Sequence, residues 1–502
     1  MSTGAEHEWR RLSPRMLLVH PIHEVLHQLP LLIGSVVLGY STGNPVWSVA
    51  ALVLTVGYGV ARWFTTAYRI DAEQLQRREG VLQRKVLSLP RNRIRSLSTD
   101  ARLLHRLLGL TVVRVGTGQE AKGGGEFELD AVRSDELASL RAVLLADAPT
   151  AAAEVPVADR VLARWAPSWL RYSPLSFTGL AMIAAAVGIV YQTGAVAALE
   201  HSELTRAGLD AAERFGVVAS VALGAAVLVV LSVLLSVLRS LLTFGNLVLS
   251  RRDGGAGAGV LHLEHGLLRV REHTYDIRRL RGGTLREPLL VRTFGGARLD
   301  AVMTGVDGAG EASLLLPPCP RATAEAVLAT LTASDVVTGG LRRHGPAAVR
   351  RRWTRALAFP AVVAVVLMVL TFVGPVPTWT WVTCGVLVAA GAFLAADRSR
   401  ALGHRVGDGW LVARSGSLDR RRDCIAAAGI IGWTVRQTLF QRRAGVATLI
   451  AATAAGVKGY RVLDVPENLA WSVAAAASRW VADDVWAREL TTASADAPVR
   501  RR

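Results

Sequence analysis

The sequence predicts a membrane protein in which α-helical transmembrane hairpins, six spans in all, alternate with three small cytoplasmic β domains that each close with a C-terminal helix. Two observations predict this class. Long intervals of the chain contain no Asp, Glu, Lys or Arg, and a short motif recurs in the three polar segments between them. The composition agrees, because 51% of the 502 residues are hydrophobic and 20% are charged, a mixture typical of membrane spans joined by polar domains.

The first and third hairpins are each visible as one uncharged interval with a turn inside it. No acidic or basic residue other than histidine lies between Glu24 and Arg62, and none lies between Arg355 and Asp397. Each interval is too long for a single span of ~20 residues. The turn-forming sequences STGNP and GPVP divide the two intervals. Two helices joined by a tight turn are therefore expected at each place.

The middle hairpin differs, because a polar loop separates its two apolar runs. One run lies between Arg171 and Glu200, and the other between Arg214 and Arg239. The loop carries four acidic residues and two arginines, whereas arginines without acids precede the third hairpin. Because basic residues near spans favour the cytoplasmic side, both termini and the three large polar segments are expected in the cytoplasm. The predicted location is the inner membrane of a cell.

These features divide the chain into alternating hairpins and domains. The predicted parts are an N-terminal cytoplasmic segment 1–24, hairpins 25–64, 172–243 and 356–396, β domains 67–148, 244–336 and 397–486, and a C-terminal tail 487–502. We refer to the three β domains as the first, second and third repeat segments.

A shared motif relates the three repeat segments. A glycine is followed two residues later by leucine, then by an arginine, and 29 residues after the first glycine by a second glycine. The motif residues are Gly80, Arg106 and Gly109; Gly266, Arg292 and Gly295; and Gly416, Arg442 and Gly445. We expect these glycines to form turns and close-packed strand entries, since glycine adopts positive φ without strain. The role of the motif is thus predicted to be structural.

The repeat segments also end alike. The alternating sequences FELDAV, SLLLPP and YRVLDV are typical of last strands. Helix starts follow near Ser134, Pro320 and Pro466. Each repeat segment is therefore expected to be a small domain of several strands closed by an amphipathic helix.

At this point the chain resembles a family. The paired spans, followed by YRIDAEQLQRREGVLQRKVLSLPRNRIRSLS from Tyr68 and LLHRLLGLTVVRVGTG from Leu103, are similar to bacterial pleckstrin-homology-like membrane proteins of the YdbS/YdbT type. The resemblance implies three pleckstrin-homology-like (PH-like) repeats, each a bent antiparallel barrel of about seven strands capped by a helix. It implies no catalytic residues and no cofactor.

One motif favours an alternative. The sequence HEVLH matches the H-E-x-x-H pattern, in which His23 and His27 could bind zinc and Glu24 could act as the general base of an intramembrane metalloprotease. A third ligand is required, and the spans supply no Asp, Glu or further His for it. We therefore expect no metal site, no cofactor and no enzyme activity, and the protease remains the alternative.

Basic groups mark a candidate membrane-proximal surface. Arg91, Arg93 and Arg95 alternate and would share one face of a strand, and a second group comprises Arg420, Arg421 and Arg422. Such groups attract an anionic leaflet. The function expected is that of an integral membrane scaffold or assembly protein whose PH-like domains contact protein or anionic lipid. Expected partners are membrane lipids and other membrane proteins, with a smaller PH-like companion or a second copy of the chain as candidates, and no nucleic acid.

Overall fold

The structure of the chain, a computed structural model, describes a defined set of residues. They are 9–11, 46–71, 73–80, 84–90, 96–101, 103–116, 127–133, 136, 160–176, 181–185, 187–188, 216–253, 259–305, 313–332 and 334–482.

Long apolar helices and short helices alternate along these residues. The helices are α1 Val46–Thr65, α2 Leu103–Leu107, α3 Val217–Phe244, α4 Leu289–Thr293, α5 Arg321–Leu331, α6 Ser334–Thr338, α7 Gly345–Thr371, α8 Thr378–Ala401, α9 Leu439–Arg443, α10 Glu467–Ala477 and α11 Arg479–Ala482. Short 3₁₀ helices occur at Pro167–Tyr172, Pro174–Ser176, Ile277–Arg279 and Ala427–Gly429.

The strands lie in the three repeat segments, except for the short strands β1 and β8. They are β1 Arg10–Arg11, β2 Ala67–Ile70, β3 Gln74–Glu79, β4 Lys85–Pro90, β5 Ser96–Ala101, β6 Leu110–Gly116, β7 Phe127–Arg133, β8 Arg160–Arg164, β9 Val248–Asp253, β10 Gly259–His265, β11 Val270–Asp276, β12 Leu280–Pro288, β13 Gly296–Met303, β14 Leu314–Pro320, β15 Gly403–Gly407, β16 Trp410–Ser415, β17 Asp419–Ala426, β18 Ile430–Arg436, β19 Val446–Thr453 and β20 Gly459–Pro466.

The chain divides into two compact units, and each is described by itself. The first contains residues 1–165 and 241–279, and the second contains residues 166–240 and 280–502. The division at residue 279 runs through the second repeat segment. The strands of that segment therefore belong half to one unit and half to the other.

The first unit contains two antiparallel sheets. One has the strand order β1-β2-β3-β4, and the other has the order β7-β6-β5-β11-β10-β9-β8. Leu75 and Leu89 of the smaller sheet pack against Val113, Phe127 and Leu129 of the larger sheet. Each such side chain contributes about 1.5–3 kcal/mol when it is fully buried. The packing of these two sheets forms the core of the first repeat segment.

The second unit repeats this design. Its sheets have the orders β14-β13-β12-β17-β16-β15 and β18-β19-β20. Leu411 and Ile425 of the larger sheet pack against Leu449 and Val462 of the smaller sheet, and Val473 of α10 closes the core. The closing helix predicted for the third repeat segment is therefore present and packs as expected from its apolar face.

The barrel that the family resemblance implies is not observed. The four sheets of the described residues are open, and two of them continue from one repeat segment into the next. The reason is that β5 and β12, which begin the second half of their segments, pair with β11 and β17 of the following segments. Their hydrogen-bonding edges are used between segments and not for closing a barrel within one.

All six motif glycines have a positive φ, which explains why the motif needs glycine. The values lie between 63° and 124°. At Gly266 and Gly416 an added Cβ would also collide with the carbonyl oxygens of Arg269 and Asp419 across the turn. A side chain at either position is excluded both by the backbone conformation and by space.

Three described helices are long and apolar enough to cross a membrane. They comprise residues 218–244 of α3, all of α7 and all of α8, and their mean hydropathies are 2.9, 2.0 and 1.7. Side chains in these apolar stretches are mostly exposed. Together they indicate a membrane protein. The first predicted span lies outside the described residues, and α1 occupies the position of the second.

Candidate anion-binding cleft beside a membrane helix

The base of α7 is tied to the third repeat segment by one carboxylate. Arg351 places Nη1 2.8 Å from Oδ1 of Asp464, and Arg352 places Nη2 2.6 Å from Oδ2. The Asp464 side chain is only 1% exposed. Since burying a carboxylate is costly unless it is paired and hydrogen-bonded, the two arginines stabilise the Asp464 side chain at this position.

An irregularity in β20 places Asp464. The register of β19 and β20 shifts between Ala447 and Leu449, so the partner strand carries an extra residue at this point. Asp464 has a φ of 54°, in the left-handed region that aspartate tolerates better than most residues. Such a bulge redirects a side chain out of the regular alternation of the strand. Here it directs the carboxylate toward α7.

A helix cap orients the third group that binds Asp464. Thr438 and Gln441 form a capping box at the start of α9, in which each side chain bonds the backbone N–H of the other residue. The Gln441 amide donates from Nε2 to Asp464 Oδ1 over 2.8 Å and to Thr448 Oγ1 over 2.7 Å. A buried amide with all of these partners is held in one orientation.

These groups line a cleft of about 180 Å³. Its walls are rich in arginine, with a single acid: Arg351, Arg352, Arg355, Arg436, Thr438, Gln441, Thr448, Ile450, Arg461, Leu463 and Asp464. Arg355, Arg436 and Arg461 are exposed, and none of them is within ion-pairing distance of a carboxylate among the described residues. Because the cleft contains five guanidinium groups and one carboxylate, it favours binding of an anion. A guanidinium group can donate two parallel hydrogen bonds to a phosphate, which fixes the geometry of the pair.

A histidine pair lies directly behind the cleft. His344 Nδ1 lies 2.7 Å from the carbonyl oxygen of Leu463, so this nitrogen carries the proton, and Nε2 must accept from His404 Nδ1 at 2.8 Å. Burial, together with the nearby His344 and Arg342, lowers the pKa of His404 to about 4. Burial also lowers the pKa of His344. Both rings are therefore neutral near pH 7, and the positive charge of the site comes from arginine.

Comparison with known families adds one finding to this geometry. The model of the bacterial PH domain matches residues 26–148 and 356–478. The chain carries two bacterial PH domains. Each matched range covers a predicted hairpin and all or most of the repeat segment that follows it. No curated protein and no solved structure matches the chain.

The two bacterial PH matches cover the first and third repeat segments. They agree with the family resemblance noted from the sequence and with the presence of repeats. Most of the cleft lies in the second match, which contains its lining residues from Arg436 to Asp464, whereas Arg351, Arg352 and Arg355 immediately precede the match. The bacterial PH domains and the three apolar helices fit a membrane protein with PH modules. The count of three PH-like repeats and of six spans remains a prediction.

The structure places the second group of predicted basic residues on β17. Arg420 Nη2 lies 2.6 Å from Oδ1 of Asp397, Arg421 Nε lies 2.9 Å from Oδ2 of Asp419, and Arg422 is buried. These side chains lie in a sheet between β12 and β16. Whether they also face a membrane stays a prediction.

Other predicted site residues lie outside the described residues. These are the first basic group, Arg91, Arg93 and Arg95, and the metalloprotease alternative, His23, Glu24 and His27. Among the residues that the structure does describe, no cluster of three or more His, Cys, Asp or Glu side chains could hold a metal ion.

The motif arginines have a clearer place. Arg106 donates from Nη1 to the carbonyl oxygen of Leu267 over 3.2 Å, and Arg292 places Nη2 3.0 Å from Oδ2 of Asp397. In both cases the partner belongs to the following repeat segment or to the hairpin that precedes it. Arg442 is exposed.

Sequence reasoning missed the cleft itself. The arginines at the start of α7 predict orientation, and nothing in the local sequence connects them with Asp464, more than 100 residues away. The available signal is the acid in YRVLDV, since Asp464 is the one acidic residue of this strand sequence, which is otherwise apolar apart from Tyr460 and Arg461. A strand position alone would not have predicted that its side chain turns toward a helix.

Proposed function

We propose that this protein is an integral membrane scaffold or assembly protein that holds an anionic lipid headgroup in the arginine cleft. In this proposal six spans cross the inner membrane in three hairpins. Three PH-like repeats and both termini lie in the cytoplasm. The lipid contact fixes the third repeat segment against the membrane surface, where it presents its sheets to partner proteins.

The observation that carries the proposal is the position of the cleft at the base of an apolar helix. Arg355 lines the cleft and is also the last charged residue of α7, since no Asp, Glu, Lys or Arg follows it before the end of the helix at Thr371. Long arginine side chains at such a boundary extend toward the headgroup region. A phosphate there would be within reach of guanidinium groups from both α7 and the sheet.

The charge of the cleft supports a lipid ligand in preference to a neutral one. Arg351 and Arg352 are already engaged by Asp464, whereas Arg355, Arg436 and Arg461 are available to an anion. Each basic side chain near an anionic leaflet contributes about 1 kcal/mol to binding. A carboxylate held in place by Gln441 prevents Arg351 and Arg352 from spreading into the cleft, so the site has a fixed shape.

The test compares two double variants of the full-length protein purified in mild detergent. Arg355→Gln with Arg461→Gln removes two charges of the cleft. Arg350→Gln with Arg443→Gln removes two exposed arginines that do not line it. Phosphatidylglycerol retained per protein is measured by mass spectrometry, and affinity is measured by titration with a short-chain phosphatidylglycerol.

The cleft variant should bind this lipid about 30-fold more weakly, since two charges account for about 2 kcal/mol and ~1.4 kcal/mol is tenfold. The control variant should resemble the wild-type protein. Equal lipid retention by the two variants would contradict a headgroup site in the cleft.

A further inference from the structure

The two junctions between repeat segments are built from the same strand edges in the same register. In the first, β5 pairs with β11 and Ala101 lies opposite Val270; in the second, β12 pairs with β17 and Glu287 lies opposite Arg420. Ala101 and Glu287 each lie 21 residues after their motif glycine, and Val270 and Arg420 each lie four residues after theirs. The junction is therefore a repeated structural element.

An ion pair of alternating polarity closes each junction. Asp100 of β5 binds Arg269, which precedes β11, through two hydrogen bonds. At the equivalent positions of the second junction, Arg286 of β12 lies 3.9 Å from Asp419 at the start of β17. The acid therefore lies on the earlier repeat segment in the first junction and on the later repeat segment in the second. Such an exchange disfavours wrong pairings, because like charges would then face each other.

The motif arginine also belongs to the junction. Arg106 reaches Leu267 across the first junction, and Arg292 reaches Asp397 across the second. Arg442, the equivalent residue of the third repeat segment, has no such contact among the described residues and is exposed. The third repeat segment thus has the motif arginine, but this arginine makes no contact with a following segment among the described residues.

Two strand edges of the kind used in the junctions are left over. β18 is equivalent to β5 and β12, and it pairs with β19 on one edge only; β4 is equivalent to β11 and β17, and it pairs with β3 only. Neither strand has a second partner among the described residues. Ile431 is 69% exposed and Val86 is 54% exposed. Unpaired edges with exposed apolar residues are ready templates for another strand.

We propose that β18 of one copy of this chain pairs with β4 of a second copy and forms a third junction of the same type. The register of the first two junctions fixes the expected partners: Thr434 opposite Leu87, Val435 opposite Val86, and Arg436 opposite Lys85. The contact joins different surfaces of the two copies. It therefore produces a closed ring when the rotation closes and a chain of copies when it does not.

The inference deepens the scaffold function and rests on it, because it names the partner as a second copy of the same chain. One pair of like charges, Arg436 and Lys85, would face each other, as Arg286 and Arg421 do in the second junction. There Asp419 accompanies both arginines, at 3.9 Å and 2.9 Å. In the third junction the anion held in the cleft, which Arg436 lines, takes that place.

The test uses two differently tagged full-length chains expressed together, each with one introduced cysteine. One carries Val86→Cys and the other carries Val435→Cys, so a disulfide between them can form only between copies. Directly opposite residues of antiparallel strands have Cα atoms about 4.5–5.5 Å apart, within the range that a disulfide spans. Natural cysteines give little background, because Cys319, Cys384 and Cys424 are buried and burial raises the pKa of the Cys319 and Cys424 thiols to about 12.

The matched control pairs Val86→Cys with Ile431→Cys. Ile431 is on the same strand and is exposed, but it lies four residues from the predicted partner, which is about 13 Å along a strand. After mild oxidation of native membranes, the Val86 and Val435 variants should give a dimer that carries both tags. The control should give at least tenfold less.

A lack of mixed-tag dimer, in chains that are present at wild-type amounts and whose cysteines react with maleimide, would overturn the third junction. An equal yield from the control would overturn it as well. The lipid measurement on the cleft variant distinguishes this failure from failure of the proposed function, since Arg355 and Arg461 are not part of β18 or β4. Lipid retention without the mixed dimer leaves the scaffold function standing and removes self-pairing. A mixed dimer without lipid retention supports self-pairing and contradicts the headgroup site of the proposed function.

Discussion

At the scale of single residues, Asp464 connects the base of a membrane helix with the last sheet of the chain. It binds Arg351, Arg352 and Gln441 and is almost fully buried. When a whole buried ion pair is replaced by well-packed apolar residues, the stability of a protein can stay unchanged. Removal of only one partner leaves an uncompensated buried charge. The arginines of the cleft should therefore depend on this carboxylate for their positions.

The first prediction concerns Asp464→Asn, which keeps the shape of the side chain and its tolerance of a positive φ. We expect the free energy of unfolding to fall by about 3–5 kcal/mol, because two buried guanidinium groups lose their counter-charge. The measurement is denaturant unfolding of the detergent-solubilised protein, followed by tryptophan fluorescence. Asp408→Asn is the control, since Asp408 also has a positive φ of 55° but its side chain is 66% exposed in its pair with Arg405.

The control should cost no more than about 1 kcal/mol, as is usual for exposed ion pairs. If Asp464→Asn unfolds at the same denaturant concentration as Asp408→Asn, the carboxylate does not hold the cleft together.

At the scale of elements, α7 and α8 form the third hairpin, and one glycine sets their separation. Pro360 lies inside α7 and has no N–H for the carbonyl of Ala356, four residues earlier. An added Cβ at Gly391 of α8 would lie 3.0 Å from that same oxygen and 3.6 Å from the Pro360 ring. The absence of a side chain at Gly391 lets the two helices approach at the proline, as small residues do in membrane helix pairs.

The second prediction is that Gly391→Leu separates the two helices. The free energy of unfolding in detergent should fall by about 1–3 kcal/mol, the usual cost of overpacking. Gly385→Leu, on the same helix, has no atom within 4 Å of the added Cβ and should stay close to wild type. Equal stability of the two variants would show that Gly391 is not a contact point of the hairpin.

The comparison of sequence and structure is also clearest at the scale of elements. The motif glycines could be predicted as turns, because only glycine combines a positive φ with the space available at Gly266 and Gly416. Strand pairing between segments could not, since β5 carries no local signal that distinguishes β11 from a strand of its own segment. The cleft also escaped prediction, because it depends on a bulge at Asp464 and on contacts between residues more than 100 positions apart.

At the scale of the whole molecule, the chain combines three apolar helices, two bacterial PH matches and an arginine cleft at the base of α7. All three fit a membrane protein with PH modules. The distribution of charge predicts the side of the membrane on which each part lies. The loop between Glu200 and Arg214 is acidic, and arginines flank the hairpins at their other ends. The predicted orientation places this loop outside the cytoplasm and the cleft inside.

The most direct measurement of this central claim is labelling of single introduced cysteines in intact spheroplasts with a membrane-impermeant maleimide. Ala207→Cys lies in the acidic loop, and Val457→Cys lies in the third repeat segment at a position that is 44% exposed. Ala207→Cys should label in intact cells, whereas Val457→Cys should label only after the membrane is permeabilised. Labelling of Val457→Cys before permeabilisation, or protection of Ala207→Cys, would contradict a cytoplasmic position for the PH modules and their cleft.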